Sequence, residues 1–268
     1  MPYATLTLEF ERLARGEVEG ELATIMFNRP EKRNAISTEM IEELVAALDE
    51  AEASAARVII VTGAGKAFCS GMDLEALKAV AFQSSEQNLQ DSRRVARLFR
   101  HLYSFSKPLI ALVNGPAIAG GCGIATLCDL TLAVPEAKFG YTEVRIGFVP
   151  AIVSVFLIRQ IGEKRARDLL LTGRILDAAE AHRIGLVTEV VPSEKLFQRG
   201  HELAASFLAS SHASLERTKQ LLRHLGESDL NRELELAVRE SASIRSTADF
   251  REGVSAFLEK RKPVWRGE

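Results

Sequence analysis

Short apolar runs recur along the chain as far as residue 191, and segments with a helical spacing of apolar residues separate them. Runs of this length bounded by turn residues are typical of strands that enter a buried sheet. They predict strands at residues 5–10, 22–28, 58–62, 109–113, 130–134 and 186–191. Because strands alternate with helices, the pattern indicates an α/β fold.

The clearest predicted helix follows Ser37, a residue type that caps helix N-termini. Its glutamates lie largely opposite an apolar face, which comprises Met40, Ile41, Leu44, Val45, Leu48 and Ala51. Further helices are predicted over residues 74–80 and 86–103. A nucleotide-binding Rossmann fold is not expected, because no G-x-G-x-x-G sequence follows the first strand.

The strand pattern stops at Pro192, and four helices are predicted after it, at residues 195–211, 213–225, 230–245 and 248–260. We therefore divide the chain into an α/β core, residues 1–192, and a helical C-terminal region, residues 193–268. Leucines such as Leu221, Leu222 and Leu236 provide more apolar surface than four short helices readily bury alone. This surplus favours oligomerisation, although these helices could instead simply cover their own core.

Two small-residue turns, each between a strand and a helix, carry the strongest indication of function. One spans residues 114–123 and the other spans residues 63–74. Turns at a helix start leave backbone N–H groups unpaired, and glycine lets a ligand oxygen approach the main chain closely. Two such donors that converge on one oxygen form an oxyanion hole, which stabilises the enolate of a thioester. The alternative for either turn is close packing of a helix on a sheet.

Four motifs, in this order, resemble those of the crotonase superfamily, which contains the enoyl-CoA hydratases and isomerases. They are NRPEKRNA at 28–35, SGMDL at 70–74, NGPA at 114–117 with the pair at 120–121, and FGYTE at 139–143. The similarity covers nearly the whole chain. It implies a crotonase-like spiral of ββα units with an all-helical C-terminal trimerisation region, and a homotrimer or homohexamer.

The resemblance also implies a catalytic site with Glu143 as the acid/base and the backbone N–H groups of Met72 and Gly120 as the oxyanion hole. A carboxylate beside an apolar acyl pocket binds protons more tightly, which suits acid–base work near neutral pH. A surface glutamate beside Arg145 is the alternative. The implied substrate and CoA contacts are Lys32, Arg33, Ala35, Ser70, Gly71, Asp73, Leu74, Gly121, Phe257 and Lys260. The alternative for Lys32, Arg33 and Lys260 is that they are simply solvated surface charges. The alternative for Phe257 is ordinary packing.

One position departs from the family pattern. Family hydratases carry a second glutamate three residues after the oxyanion-hole glycine, where this chain has Gly123. Glycine cannot hold a water or move a proton, so two reactions compete. We place hydration of a 2-enoyl-CoA first, and Δ3-Δ2 isomerisation with Glu143 as sole proton shuttle is the alternative. Asp73 is expected to cap its helix, and Glu75 is a weaker candidate for the missing acid.

Three further expectations concern the substrate and the reaction. The bulky segment at residues 151–156 is expected to narrow the acyl end of the site, and the Met72 side chain to shape it. Cleavage of the CoA ester is a third possible reaction on this scaffold. A protein that binds acyl-CoA without turnover is a different class of function, against which the presence of Glu143 argues.

Composition excludes several other classes of function. The formal net charge is −2 and no basic cluster is present, so neither nucleic acid nor an anionic membrane is an expected partner. Three cysteines and five histidines lack metal-ligand spacing, so we expect no metal and no cofactor besides the CoA of the substrate. The first residues do not resemble a signal peptide, and no apolar run reaches membrane-spanning length, so a cytoplasmic protein is expected.

Overall fold

The computed structural model describes residues 3–15, 18–80, 82–226 and 229–267. Nine strands lie in these ranges: β1 Leu6–Arg15, β2 Val18–Phe27, β3 Val58–Gly63, β4 Leu109–Val113, β5 Ala117–Ile118, β6 Leu130–Ala133, β7 Lys138–Gly140, β8 Leu176–Asp177 and β9 Glu189–Val190. The α-helices of the same ranges are α1 Thr38–Ala53, α2 Leu74–Val80, α3 Ser85–Ser104, α4 Gly120–Leu127, α5 Ala151–Ile161, α6 Glu163–Thr172, α7 Ala178–Arg183, α8 Leu196–Leu208, α9 His212–Gly226, α10 Leu230–Ser243 and α11 Ala248–Leu258.

The main sheet has six strands in the order β1-β2-β3-β4-β6-β9. The hairpin of β1 and β2 is antiparallel, and every other neighbouring pair in this sheet is parallel. All residues of β3 and β4 are buried, as expected for parallel strands covered on both faces. Each of the six strands predicted from the sequence overlaps a strand of this sheet, and the α/β class is confirmed.

A second, three-stranded sheet has the order β5-β7-β8, and β5 runs parallel to β7. Ala117 on β5 lies opposite Phe139 on β7, and Ile118 lies opposite Gly140. The sequence analysis did not predict these strands, because two or three residues are too few to show a period. This small sheet is nevertheless what places the turn after β5 beside the segment after β7.

The predicted helix after Ser37 is α1, and the Ser37 hydroxyl accepts a hydrogen bond of 3.2 Å from the Met40 N–H. Its predicted apolar face is buried. The helix predicted at residues 74–80 is α2, and α3 begins at Ser85 with a capping box formed by Ser84 and Gln87. Helices α5, α6 and α7 were not predicted. For α5 the reason is its mostly apolar circumference, which hides the amphipathic period.

The C-terminal region is helical, as predicted. Helix α8 packs on the main sheet, α10 packs on α3 and α5, and α11 packs on α2 and on the 3₁₀ helix Glu143–Ile146. In the ranges that the structure describes, no helix combines the length and the hydropathy needed to span a membrane. The division of the chain at residue 192 stays a prediction. Helix α8 follows this residue, but it packs on the main sheet of the core.

Candidate active site

The two small-residue turns are joined to each other by backbone hydrogen bonds. The Cys69 N–H donates to the Pro116 carbonyl at 3.1 Å, and the Ile118 N–H donates to the Cys69 carbonyl at 2.9 Å. Gly121 permits this approach, since a Cβ there would lie 2.4 Å from the Cys69 carbonyl oxygen. A side chain at residue 121 would therefore push the two turns apart.

Each turn presents a backbone N–H without a hydrogen-bond partner among the described residues, at Met72 in one turn and at Gly120 in the other. Ile36 hydrogen-bonds to the residues on either side of Met72, through the Gly71 carbonyl at 2.7 Å and the Asp73 N–H at 2.9 Å. The Met72 N–H therefore points to the opposite side of that strand-like pairing. Gly120 is the first residue of α4, where an N–H has no partner within the helix. Across the described ranges, no hydrogen bond is formed by either N–H.

Backbone strain fixes the second of these turns. Ala119 has a φ of 51°, which is uncommon for a residue with a side chain and costs free energy of order 1–3 kcal/mol. Its N–H donates to the Gly140 carbonyl at 2.7 Å, and this bond ties the turn to the end of β7. The strained conformation is thus held by the small sheet, immediately before Gly120.

Glu143 begins the 3₁₀ helix that follows β7, so the pairing of β7 with β5 brings it beside the turn at Gly120. It is 8% exposed, and its Oε2 is buried without a hydrogen-bond partner in the described residues. Burial raises the pKa of Glu143 to about 7, because a desolvated carboxylate is destabilised relative to the acid. Glu143 is therefore not a surface glutamate, and it can exist in both protonation states near neutral pH.

A cavity of about 260 Å³ joins these groups. Of the residues singled out from the sequence, its lining includes Ser70, Gly71, Met72, Gly120, Glu143 and Phe257. Three residues of the bulky segment 151–156 also line it. Phe250 lines it as well, and it belongs to the small apolar cluster against which Met72 packs. The remaining candidates lie outside the lining: Lys32, Arg33, Ala35, Asp73, Leu74, Gly121 and Lys260.

Asp73 caps α2 and is paired. Its Oδ1 accepts a hydrogen bond of 2.9 Å from the Glu75 N–H, and its Oδ2 lies 2.7 Å from Arg29 Nη2. Burial opposes ionisation of this carboxyl, but those hydrogen bonds outweigh it and lower the pKa of Asp73. Lys32 Nζ lies 3.6 Å from both Asp73 and Glu75, whose side chain is 83% exposed. Neither carboxylate can therefore replace the second glutamate of the family pattern.

Gly123 lies in α4 where no side chain fits. A Cβ at this position would lie 2.4 Å from Phe99 Cε1 and 2.9 Å from Val153 Cγ1. Contacts of this length require the neighbours to shift, and Phe99 is a buried ring. The space used by a second glutamate is therefore occupied by apolar side chains, so a Gly123→Glu substitution would require Phe99 and Val153 to move.

The sequence analysis missed a polar part of the cavity, formed by Asp91, Ser241 and Arg245, which we call the polar wall. Arg245 Nη1 donates to Asp91 Oδ2 at 2.7 Å. These residues come from α3, α10 and the segment after α10, and 154 positions separate the ion pair in sequence. The one local signal in the sequence was Arg245, which follows the apolar face of α10. An arginine in such a position does not by itself indicate a site.

The fold and these groups define a class of protein: an enzyme of the crotonase fold in which two joined turns lie on a cavity together with the buried carboxyl of Glu143. Comparison with known proteins agrees. Residues 17–268 match the family model described as enoyl-CoA hydratase/isomerase. The chain belongs to this family.

Relatives in this family are similar over almost their whole length. A Thermus thermophilus protein named "Putative enoyl-CoA hydratase" is 45% identical over 246 residues, which are 91% of this chain and 97% of that protein. A probable enoyl-CoA hydratase of Rhizobium meliloti is 34% identical and covers 99% of both chains. The crystal structure of an enoyl-CoA hydratase/isomerase from Xanthobacter autotrophicus Py2 is 32% identical, with a TM-score of 0.85 over 97% of both chains.

These comparisons confirm the predicted superfamily and the crotonase-like fold. They also support an enzyme that acts as a lyase, by hydration of an acyl-CoA, and they do not favour the isomerase alternative.

Proposed function

We propose that this protein adds water to the double bond of a 2-enoyl-CoA, with Glu143 as the acid/base and with the N–H groups of Met72 and Gly120 as the oxyanion hole. One observation carries this proposal. The buried carboxyl of Glu143, whose Oε2 has no hydrogen-bond partner among the described residues, lies on a cavity whose wall also includes Met72 and Gly120.

One carboxyl suffices for the proton balance. The thioester oxygen accepts both N–H hydrogen bonds, which draws electrons from the β-carbon. The Glu143 carboxylate takes a proton from a water whose oxygen bonds to the β-carbon, and the electron pair of the double bond moves to the enolate. Glu143 then returns that proton to the α-carbon, and the enolate collapses to the saturated thioester. A pKa of about 7 suits a group that must both accept and give a proton.

We propose that the CoA carrier lies outside the cavity, whose volume of about 260 Å³ suits an acyl group. Its contacts would be the exposed loop of Lys32 and Arg33 together with Ala35, Ser70, Gly71, Asp73, Leu74 and Gly121. Phe257 and Lys260 would reach the CoA of a neighbouring subunit. Asp73 and Arg29 would hold the loop in place rather than contact the reacting atoms. Arg29 also donates to the Ala35 carbonyl at 2.6 Å, so this pair fixes the loop against the Met72 turn.

The remaining parts of the proposal concern the assembly and its setting. We propose a homotrimer or homohexamer, because leucines of α9 and α10 are exposed in the single chain: Leu221, Leu222, Leu225 and Leu236. We further propose that the enzyme works in the cytoplasm without a metal or organic cofactor, since Glu143 and the two N–H groups supply the acid–base and electrostatic parts of the reaction.

Turnover of a short 2-enoyl-CoA by Glu143→Gln tests the proposal. Glutamine keeps the size of the side chain but cannot exchange a proton near neutral pH. The rate of water addition should fall by roughly 10²–10⁴-fold, the usual contribution of a general acid–base group. Glu75→Gln, at an exposed carboxylate beside the same site, is the matched control and should keep wild-type activity. A Glu143→Gln enzyme with most of its activity would show that another group is the base.

A further inference from the structure

The polar wall is unusual in a cavity whose lining is mostly apolar. Arg245 is 1% exposed and lines the cavity. An arginine is rarely buried to this extent unless it is paired, because removal of its charge from water is costly. Its guanidinium lies 5.4 Å from the centroid of the Phe148 ring, and Phe148 in turn packs against Phe250. The aromatic ring therefore fixes the guanidinium in place.

The partner of Arg245 is shared. Asp91 Oδ2 accepts the hydrogen bond from Arg245 Nη1 at 2.7 Å, while Asp91 Oδ1 accepts one from Arg94 Nη1 at 3.1 Å. One carboxylate thus faces two guanidinium groups. The second carboxylate near Arg94 is Glu42, at 3.3 Å and largely exposed, so solvent screens it. The two guanidinium groups and the two carboxylates of this cluster balance in charge, and Asp91 is shared between Arg245 and Arg94 rather than held by Arg245 alone.

The polar wall also has unused hydrogen-bond donors. Arg245 has five N–H groups, and its Nε is buried without a partner among the residues that the structure describes. Ser241 Oγ accepts a hydrogen bond of 3.2 Å from Ser92 Oγ, which leaves the Ser241 hydroxyl hydrogen to donate. Arg245 and Ser241 both line the cavity, and a guanidinium together with a hydroxyl matches a ligand group with several acceptor atoms.

The ion pair of Arg245 is with Asp91, and no ion pair joins Arg245 to Glu143 among the residues that the structure describes. The raised pKa of Glu143 agrees with this, because burial and not a neighbouring charge is its cause. Arg245 therefore does not act as a charge partner of Glu143. A group that Arg245 binds belongs to another part of the acyl chain than the double bond.

We infer that the acyl group of the substrate carries a second carboxylate, away from its double bond, and that Arg245 and Ser241 bind this carboxylate. The inference rests on the proposed function and names the substrate class of the same cavity. Asp91 holds Arg245 in the free enzyme and remains paired with Arg94 when the ligand is bound. The enzyme then discriminates against acyl groups with a terminal methyl, because these leave the buried donors unpaired.

The first test is equilibrium binding of saturated acyl-CoA thioesters to the wild-type protein, which requires no turnover. Each member of a series with four to eight carbons is compared in two forms, with a terminal carboxylate and with a terminal methyl. At one chain length the carboxylate form should bind roughly tenfold to a hundredfold more tightly, the range for a hydrogen bond to a charged group. Equal or tighter binding of the methyl form at every length overturns the inference. A carboxylate preference without hydration of any 2-enoyl-CoA would instead refute the proposed function alone.

Variants separate binding by Arg245 from a structural ion pair. Arg245→Met should abolish the preference for the carboxylate form without weakening the methyl form, and Arg245→Lys should retain part of it. Asp91→Asn should increase the preference, because Arg245 then lacks its protein partner. Arg239→Met removes an exposed arginine from α10 and is the matched control, with no change expected.

A purely structural pair predicts another pattern. Arg245→Met and Asp91→Asn would then weaken both forms in proportion, and an unchanged ratio would overturn the inference. Should Arg245→Met fail to fold, Ser241→Ala provides the second variant, since it removes one donor and leaves the ion pair intact. A preference in Ser241→Ala equal to that of the wild type, with Arg245→Met unfolded, would reject the binding role of this serine, and the wild-type series would decide the role of the wall.

Discussion

The raised pKa of Glu143 makes a prediction about stability that does not depend on any substrate. The carboxyl binds its proton with a pKa of about 7 in the folded protein and about 4.5 in the unfolded chain. Between these values the folded state binds more protons than the unfolded state, so stability falls as the pH rises. Below the lower value both states are protonated, and the penalty is absent. Glu143→Gln is neutral at every pH and should escape this loss.

The size of the effect follows from the two pKa values. A tenfold change in proton affinity corresponds to about 1.4 kcal/mol, so the full destabilisation above the folded pKa is roughly 3 kcal/mol. Between about pH 5 and about pH 8, the free energy of unfolding of Glu143→Gln should therefore rise relative to the wild type by roughly 2–3 kcal/mol. The acid–base group would thus be held at the expense of stability, as is common at active sites.

Urea denaturation of both proteins at the two pH values measures this difference, and other titrating groups cancel because they are common to both. Glu75→Gln, at the exposed neighbouring carboxylate, should follow the wild type at both values. Parallel stability curves for wild type and Glu143→Gln across this range would refute the reasoning, since the buried carboxyl would then have no perturbed proton affinity.

Three further predictions concern packing, positioning and assembly. Gly123→Ala should lower the free energy of unfolding by roughly 1–3 kcal/mol in urea denaturation, because its Cβ meets the Phe99 ring; a gain from helix propensity would show that the ring yields freely. Asp73→Asn should lower kcat/KM by roughly tenfold, because Arg29 then holds the Met72 turn less firmly. This loss is smaller than the roughly 10²–10³-fold expected when one oxyanion-hole donor is removed. Unchanged steady-state kinetics would reject a positioning role for Asp73. Light scattering should give a trimer or hexamer, and a mass near the 29.4 kDa of one chain would contradict oligomerisation.

The sequence was most informative where a local pattern was long enough to have a period. The fully buried runs of β3 and β4 predicted strands in the main sheet, and the capped, one-sided helix α1 was found as expected. Helix α5 was missed because its apolar residues surround the axis. The short strands β5 and β7 were missed because tertiary pairing, rather than local preference, makes them strands.

The candidate site divides in the same way. The glycine turns and Glu143 could be singled out because their motifs are contiguous in the chain. The polar wall could not, because Asp91 and Arg245 meet only when α10 packs on α3. Nor could the sequence show that Phe99 occupies the space beside Gly123. The position of the missing glutamate is part of the packed core, and it is not an empty part of the site.

The central claim is water addition through a single carboxyl, and it is tested most directly by the product formed from a 2-enoyl-CoA in oxygen-isotope-labelled water. The account predicts a product that is heavier by one labelled water, with the heavy oxygen on the β-carbon, and it predicts that Glu143→Gln forms this product far more slowly. A product of unchanged mass with a moved double bond, or free CoA with the labelled oxygen in the released acid, would contradict it.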